Sequence, residues 1–364
     1  MSDVEVSNKD ILKHYFASIV VYGVIWLLVS IWPLYESVIE KSYWNYSSVL
    51  GIYYLLYIIF ALPVFFKFRP KSIKDSRAIA ILLYIKRQFG RVSALERLKN
   101  FEMTEAEKHA FVITFVKAFF GVYCVNMLCT NYIPTFDYNV SFVGAMLNEA
   151  VSYSHAQGAI AGFAQFIDDS ADMIINLTFL VTTLVFTFSY LTEASFLKNK
   201  IKYADITPLG ILACILCYYP FTSVVSTFIP LYNQSLIPTP NPILRITFRC
   251  LLLLACIVSM IAILRLGTKS GNLTNRGIVK GFPYNIVRHP DYAAQMWILI
   301  LLFIPVYGVA QVTLLNKILF TFGTIFLLFL YYLRAITEER NLSKDQEYVE
   351  YMDKVKRRFI PWVF

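Results

Sequence analysis

Charged residues are scarce in this sequence, and their scarcity excludes an ordinary soluble domain. Asp, Glu, Lys and Arg together make up 16% of the 364 residues, while apolar residues make up 57%. Soluble domains carry about 25% charged residues. The composition therefore indicates a polytopic membrane protein, and the expected fold is an all-α bundle of transmembrane helices.

Cysteine and histidine are also few, with six and four residues. All six cysteines lie in or beside apolar stretches. Cys214 and Cys217 have CxxC spacing, but no histidine or charged residue accompanies them in their apolar segment, so small buried side chains are favoured over a redox or metal site. His14, His109 and His155 stand isolated. We expect no metal site, and no cluster of reactive side chains in the first 240 residues.

The beginning of the chain lacks the features of a cleaved targeting segment. The stretch "MSDVEVSNKD" has no basic region followed by a short apolar stretch and a small-residue cleavage site, and it is not an arginine-rich presequence. We therefore expect the first apolar stretch to serve as its own membrane-insertion signal.

Long apolar stretches, in contrast, are abundant. A helix needs about 20 apolar residues to cross the hydrocarbon core of a bilayer. Eight windows have this character, at residues 12–31, 47–66, 110–130, 173–192, 206–230, 244–266, 292–310 and 313–333. The sequence thus predicts about eight spans, the last two forming a helical hairpin.

The distribution of basic residues predicts how the spans are oriented. Residues 67–108 hold eleven of the 33 basic residues, whereas residues 131–172 hold none. Basic loops remain on the inner side of a membrane, so we expect both termini inside and a long acidic outer loop at 131–172. Arg245 and Arg249 are exceptions, for which snorkelling to the outer headgroups is favoured over an anion site. The net charge of +9 then reflects topology and anionic lipid, not nucleic acid.

These patterns divide the chain into four segments. They are residues 1–66 with two spans, 67–109 as a basic amphipathic segment on the inner surface, 110–240 with three spans and the acidic outer loop, and 241–364. In the second segment apolar residues recur at three- and four-residue steps, which predicts an interfacial helix that breaks near Gly90. Thr104 and Glu107 have the spacing of a capping box at the start of the third span.

The last segment contains two polar pieces separated by the predicted hairpin. One is the loop that includes "GFPYNIVRHPDY", and the other is the tail that begins "RAITEER". Because both lie on the inner side and the connections are short, we expect them to face each other. Ionisable groups at a membrane boundary are costly unless they are paired or used, so the two pieces predict a site for a small zwitterion. Its side chains are Tyr284, Arg288, His289, Tyr292, Arg334, Glu338 and Glu339.

The order of these residues resembles a family of membrane enzymes. The pattern is Y-x-x-x-RHP-x-Y, a hairpin, R-x-x-x-EE-x-x-L, and Y-x-x-Y before a near-terminal proline. It is similar to the isoprenylcysteine carboxyl methyltransferase and phospholipid methyltransferase superfamily over about the last 120 residues. The matching residues are Tyr284, Arg288, His289, Pro290, Tyr292, Arg334, Glu338, Glu339, Leu342, Tyr348, Tyr351, Val355 and Pro361.

The resemblance implies a cofactor and roles for single residues. S-adenosylmethionine would lie between the loop and the tail, and a lipophilic acceptor would enter sideways from the bilayer. His289 and Tyr292 would bind the amino-acid end of the cofactor, and Arg288 would line its wall. Tyr284 and Pro290 would shape the pocket. Glu338 and Glu339 would hold the amino or ribose groups of the cofactor. Arg334 would orient the acceptor and, with Glu338, form the catalytic centre.

Two other functions stay open because the pattern departs from the family. Ala294 stands where the family usually has glycine, Gly281 lies one residue farther from Tyr284, and the tail before Tyr348 is about two residues shorter. The alternatives are a catalytically silent relative that scaffolds a membrane protein complex, and a sterol-reductase-like enzyme that uses NADPH. The resemblance implies the endoplasmic reticulum or another endomembrane, whereas a mitochondrial inner membrane suits the scaffold.

Overall fold

The computed structural model describes residues 6–31, 46–90, 103–194, 197–219, 221–222, 241–304 and 313–361. Helices dominate these residues. They are α1 (Asn8–Ile31), α2 (Tyr46–Phe68), α3 (Arg77–Phe89), α4 (Glu105–Met127), α5 (Ile133–Gln157), α6 (Ala159–Leu191), α7 (Pro208–Ile215), α8 (Pro242–Leu266), α9 (Pro290–Phe303), α10 (Leu314–Leu342) and α11 (Gln346–Lys354). Two short strands, β1 (Tyr203–Ala204) and β2 (Thr274–Asn275), pair antiparallel. The expected all-α fold is confirmed.

Six helical stretches in the described part of the chain are long and apolar enough to cross a membrane. They are Asn8–Ile31, Tyr46–Phe68, Glu105–Tyr138, Ala159–Leu191, Pro242–Lys269 and Leu314–Leu342. Each overlaps one of the eight predicted windows, as expected of an integral membrane protein. The window at 292–310 contains the shorter apolar helix α9, and the window at 206–230 begins with the eight-residue α7 and continues outside the described residues.

The prediction that residues 131–172 form a loop is wrong, because these residues are helical. Residues 131–172 belong to a π-helical turn at Leu128–Tyr132, to α5 and to the first half of α6. Gly158 joins the two helices with φ at +94°, a conformation that favours glycine. Gly162 lets them approach closely, because a Cβ atom there would lie 2.5 Å from the carbonyl oxygen of Ala150. The segment is therefore a helical hairpin.

Arg245 and Arg249 do not snorkel, because both are held by carboxylates of α6. Arg245 Nε lies 2.8 Å from Asp168 Oδ2, and Arg249 donates to Asp168 at 2.8 Å and to Asp172 at 2.7 Å. Arg249 is buried. Asp168 and Asp172 thus tie α6 to α8, which corrects the expectation for both arginines.

The basic amphipathic segment forms α3, which packs against α1 and α4. The helix ends at Gly90, as predicted, and residues 91–102 lie outside the described residues. The capping box is confirmed: Thr104 Oγ1 accepts from the Glu107 backbone nitrogen, and Glu107 Oε2 accepts from the Thr104 backbone nitrogen at 2.9 Å.

Candidate functional site

The loop between α8 and α9 is held in place by the end of α6. The Tyr190 hydroxyl accepts a hydrogen bond from the backbone nitrogen of Asn272 at 2.8 Å, and Ser189 Oγ donates to the carbonyl oxygen of Thr268 at 3.0 Å. The pairing of β2 with β1 fixes the next residues of the loop. The loop then runs to His289, which precedes the first turn of α9.

The loop and the tail meet, as the order of the motifs predicts. The backbone nitrogens of Arg288 and His289 donate to the carbonyl oxygens of Arg357 at 2.9 Å and Arg358 at 3.0 Å. The Tyr351 hydroxyl donates to the carbonyl oxygen of Tyr284 at 2.6 Å. The tail therefore covers the loop through direct backbone contacts.

Burial sets the protonation state of the tyrosines where the tail meets the loop. Tyr284, Tyr348 and Tyr351 pack together against Ala262 of α8. Burial raises the pKa of each of these three phenols. They consequently stay protonated over the physiological range and remain hydrogen-bond donors.

Glu339 is the centre of an ion-pair network between α10, the loop and the tail. It is 7% exposed. Its Oε1 lies 2.8 Å from Arg288 Nε and 3.1 Å from His289 Nε2, and its Oε2 lies 2.7 Å from Arg358 Nη2. Both oxygens thus contact the protein's own side chains, and the residue acts as a latch for the tail.

Glu338 has different surroundings from its neighbour. Its side chain is 38% exposed. Its Oε2 accepts a hydrogen bond from the Tyr292 hydroxyl at 2.7 Å, whereas no described residue binds Oε1. The His289 and Tyr292 rings stack in parallel, with centroids 5.3 Å apart. Tyr292 and His289 therefore lie on the Oε2 side of the Glu338 carboxylate, and its Oε1 remains able to accept a hydrogen bond from a ligand.

Arg334 is buried among aromatic rings. Its guanidinium carbon lies 4.7 Å from the ring centroid of Tyr292 and 5.4 Å from those of Tyr218 and Tyr331. Its Nη2 donates to Asn272 Oδ1 at 2.9 Å. Among the described residues no carboxylate forms an ion pair with it. Ring faces attract cations, so three rings and one amide hold this charge in a fixed position.

These side chains surround a cavity of about 310 Å³, within the size range of small-molecule sites. Six of the eight predicted site residues line it, namely Tyr284, Arg288, His289, Tyr292, Arg334 and Glu338. Pro290 and Glu339 do not line it: Pro290 is the first residue of α9, and Glu339 is the latch described above. Ala294, which replaces the family's glycine, is buried in α9 and does not line the cavity either.

The cavity continues between α4 and α6 as an arm lined by aromatic side chains. The lining residues of this arm include Phe120, Tyr123, Tyr132, Phe179 and Phe186. Both helices belong to stretches that are apolar enough to cross a membrane. The cavity thus has a polar end beside the tail and an apolar end within the bundle.

Several lining residues were not predicted from the sequence. Asp291, a variable position of the motif, lines the cavity and accepts a hydrogen bond from Ser259 at 2.5 Å. Its position as a carboxylate at the start of an apolar helix was a signal for it. Asn272, Thr274 and Arg276 line the cavity from the loop, where neither spacing nor residue type distinguishes them from other polar residues.

Comparison with known proteins adds no assignment: no protein-family model matches the chain, no curated protein matches it, and no solved structure matches it. The likeness to the membrane methyltransferases accordingly stays a prediction that rests on the order of the motif residues.

Proposed function

We propose that this protein is an integral membrane methyltransferase that uses S-adenosylmethionine and acts on a lipid or a lipidated molecule. The observation that carries the proposal is the cavity, which joins the polar residues of both motifs to an aromatic arm inside the bundle. A polar cofactor and a lipophilic acceptor need such a pair of environments in contact with each other.

The open polar atoms of the cavity fit the proposed cofactor. Glu338 Oε1 has no described partner and suits an ammonium or a ribose hydroxyl. The Tyr348 hydroxyl is buried without a hydrogen-bond partner among the described residues. Arg288 and His289 line the same end, where they would face a carboxylate. The role that the family likeness gives to Glu339 would pass to Glu338 alone.

The chain's own residues would act by positioning and by excluding water. When bound, the cofactor supplies a methyl group on a sulfonium, whose transfer depends on alignment more than on a covalent nucleophile. Arg334 is fixed by Tyr218, Tyr292 and Asn272, and it would orient an acceptor that arrives from the aromatic arm. The tail, latched through Glu339, would keep bulk water from the polar end.

Direct binding tests the proposal. Purified protein in detergent should bind S-adenosylmethionine saturably in isothermal titration calorimetry, and Glu338→Gln should weaken binding at least about tenfold, because a charged hydrogen bond is lost. The matched control is Glu347→Gln, which removes a carboxylate of the same tail that pairs with Lys280 and does not line the cavity. A folded wild-type preparation without saturable binding would sink the proposal.

A silent relative that scaffolds a membrane complex is a second candidate, and the Glu339 network favours it. A carboxylate that the family likeness assigns to the cofactor is bound instead by Arg288, His289 and Arg358. Copurification with a large assembly, with no thermal shift from either S-adenosylmethionine or NADPH, would support this candidate. A shift with NADPH alone would instead support the reductase. The membrane of residence, an endomembrane by family likeness, belongs to the same proposal.

A further inference from the structure

Arg276 is a buried cation without an anion. It is 3% exposed. Its Nη1 donates to the carbonyl oxygen of Ser189 at 2.8 Å. Among the described residues no carboxylate lies within 4.0 Å of its guanidinium. In contrast, Arg77 of α3 pairs at 2.6 Å with Glu193, which follows the end of α6. Buried charges in proteins are normally paired, so Arg276 needs an explanation.

The unused atoms of Arg276 lie on one edge of the guanidinium. Nε and Nη2 are both buried and have no hydrogen-bond partner among the described residues. These two nitrogens point the same way and form the edge that binds two oxygens of one carboxylate or phosphate. The edge therefore has the geometry of an oxyanion site.

A second unpartnered donor converges on the same space. Thr274 Oγ1 is buried and has no described partner. A Cβ atom added to Gly271 would lie 2.9 Å from Thr274 Oγ1 and 3.2 Å from Arg276 Nε. Both donors therefore lie close to Gly271, and Gly271, Thr274 and Arg276 all line the cavity.

Lys269 adds a second positive charge to this region. It lines the cavity, and its Nζ would lie 3.2 Å from a Cβ atom at Gly277, the residue that follows Arg276. No described carboxylate pairs with it. Burial lowers the pKa of Arg276, the direction expected of a cation that lacks its counter-ion.

We infer that Arg276, Thr274 and Lys269 form an oxyanion site that holds the phosphate of an amphiphilic ligand, whose apolar part lies along the aromatic arm. Arg276 contacts Ser189 at the end of α6. Phe186 and Phe179, which lie one and three turns earlier on the same helix, also line the cavity. A headgroup at Arg276 therefore leaves its chains beside an apolar path into the bundle. The inference does not rest on methyl transfer.

The experiment compares the binding of a lipid with a phosphate, the same lipid without it, and the phosphate alone. The full chain in detergent is titrated with dioctanoyl phosphatidate, with dioctanoylglycerol, and with inorganic phosphate. Phosphatidate should bind at least about tenfold more tightly than dioctanoylglycerol, because the guanidinium edge then gains its oxyanion. If inorganic phosphate binds as tightly as phosphatidate, the oxyanion site is supported, but its ligand is a soluble phosphate and the amphiphilic ligand is ruled out.

Two variants and two controls locate the binding. Gly271→Ala places a methyl group against both donors and Arg276→Gln removes the charge, and each should weaken phosphatidate binding at least about tenfold. Gly271→Ala is expected to fold, because the Thr274 side chain can rotate away. Gly144→Ala on α5, with nothing within 4 Å, and Arg265→Gln, an exposed arginine outside the cavity, should bind as the wild type does.

Three further results would overturn the inference. They are equal affinities for phosphatidate and dioctanoylglycerol, wild-type phosphatidate binding by folded Gly271→Ala, and a loss of S-adenosylmethionine binding in Gly271→Ala with phosphatidate binding intact. The last result would assign the Arg276 edge to the carboxylate of the cofactor. None of them would decide whether the protein transfers methyl groups, since that depends on Glu338.

Discussion

Glu338 and Glu339 are neighbours in the sequence, yet their oxygens have different partners. Successive helical residues point about 100° apart, and here one carboxylate lines the cavity while the other meets Arg288, His289 and Arg358. Glu338 is therefore available to a ligand in the cavity, whereas Glu339 holds the tail in place.

Replacing Glu339 should destabilise the protein more than replacing an exposed glutamate. Glu339→Gln leaves the partly buried Arg288 and Arg358 without their carboxylate, and we expect a loss of about 3 kcal/mol in the free energy of unfolding. Thermal unfolding in detergent measures it, against Glu347→Gln as control, whose exposed pair with Lys280 is worth less than about 1 kcal/mol. Equal melting temperatures for the two variants would contradict the latch.

Which carboxylate plays which part could not be predicted from the sequence. The motif placed Arg334, Glu338 and Glu339 in one helix opposite the RHP loop, and that arrangement is found. The partner that saturates Glu339 from the tail is Arg358, which no motif position included. Arg276 was missed for a related reason, since a cation without a protein partner leaves no pattern of paired charges in the sequence.

At the scale of elements, local signals were sufficient for most helices. Apolar windows and the capping box at Thr104 depend on neighbouring residues, so the sequence predicted them. The hairpin of α5 and α6 was missed because Asp168 and Asp172 find their partners in Arg245 and Arg249, more than 70 positions away. A helix whose polar face pairs with residues far away in the sequence has the same composition as a loop, so composition alone does not distinguish the two.

Close packing of that hairpin gives a matched pair of glycine variants. Gly162→Ala should destabilise the protein by about 2 kcal/mol, because its Cβ would lie 2.5 Å from the Ala150 carbonyl oxygen and 2.6 Å from Ser154 Cβ. Gly144→Ala on the same hairpin meets no atom within 4 Å and should raise stability by less than about 1 kcal/mol. Unfolding in detergent compares them, and a stable Gly162→Ala would refute the packing.

The end of α6 carries an ion cluster that should make stability depend on pH. Burial alone would raise the pKa of Glu193, but hydrogen bonds from Arg77 and the charge of Lys117 outweigh burial and bring the pKa down to about 2. Its folded pKa is therefore below the usual 4.5. The stabilisation is complete above about pH 4.5 and is lost as the pH falls towards 2.

The matching variant is Glu193→Gln. At pH 7 its free energy of unfolding should be lower than that of the wild type by about 2 kcal/mol, and the difference should shrink steadily below about pH 4.5. Unfolding curves of both proteins across this range measure the difference. A difference that stays constant down to about pH 3 would show that the charge of Glu193 does not stabilise the cluster.

For the whole molecule, the polar segments gather at one end of the bundle. Arg77 pairs with Glu193, Lys202 with Asp345, and Lys280 with Glu347, so the segments after α2, α6, α8 and α10 contact one another. The α5–α6 turn lies at the other end of a 33-residue helix. These contacts bring the polar segments together, and the side of the membrane on which they lie stays a prediction from the distribution of charge.

Labelling of sealed vesicles tests this arrangement. Single cysteines in place of Asp75 and Asp353 should react with a membrane-impermeant maleimide from the same side, and a cysteine in place of Gln157 should react from the opposite side. The unsubstituted protein controls for its own cysteines, of which Cys250 is exposed. Labelling of all three positions from one side would contradict the arrangement.

The latch at Glu339 also sets the order in which the site forms during synthesis. Arg357 and Arg358 are translated after every other residue that surrounds the cavity, and they contribute both backbone contacts to the RHP loop and a salt bridge to Glu339. The polar end of the cavity is therefore covered only after α8, α9 and α10 have all been synthesised.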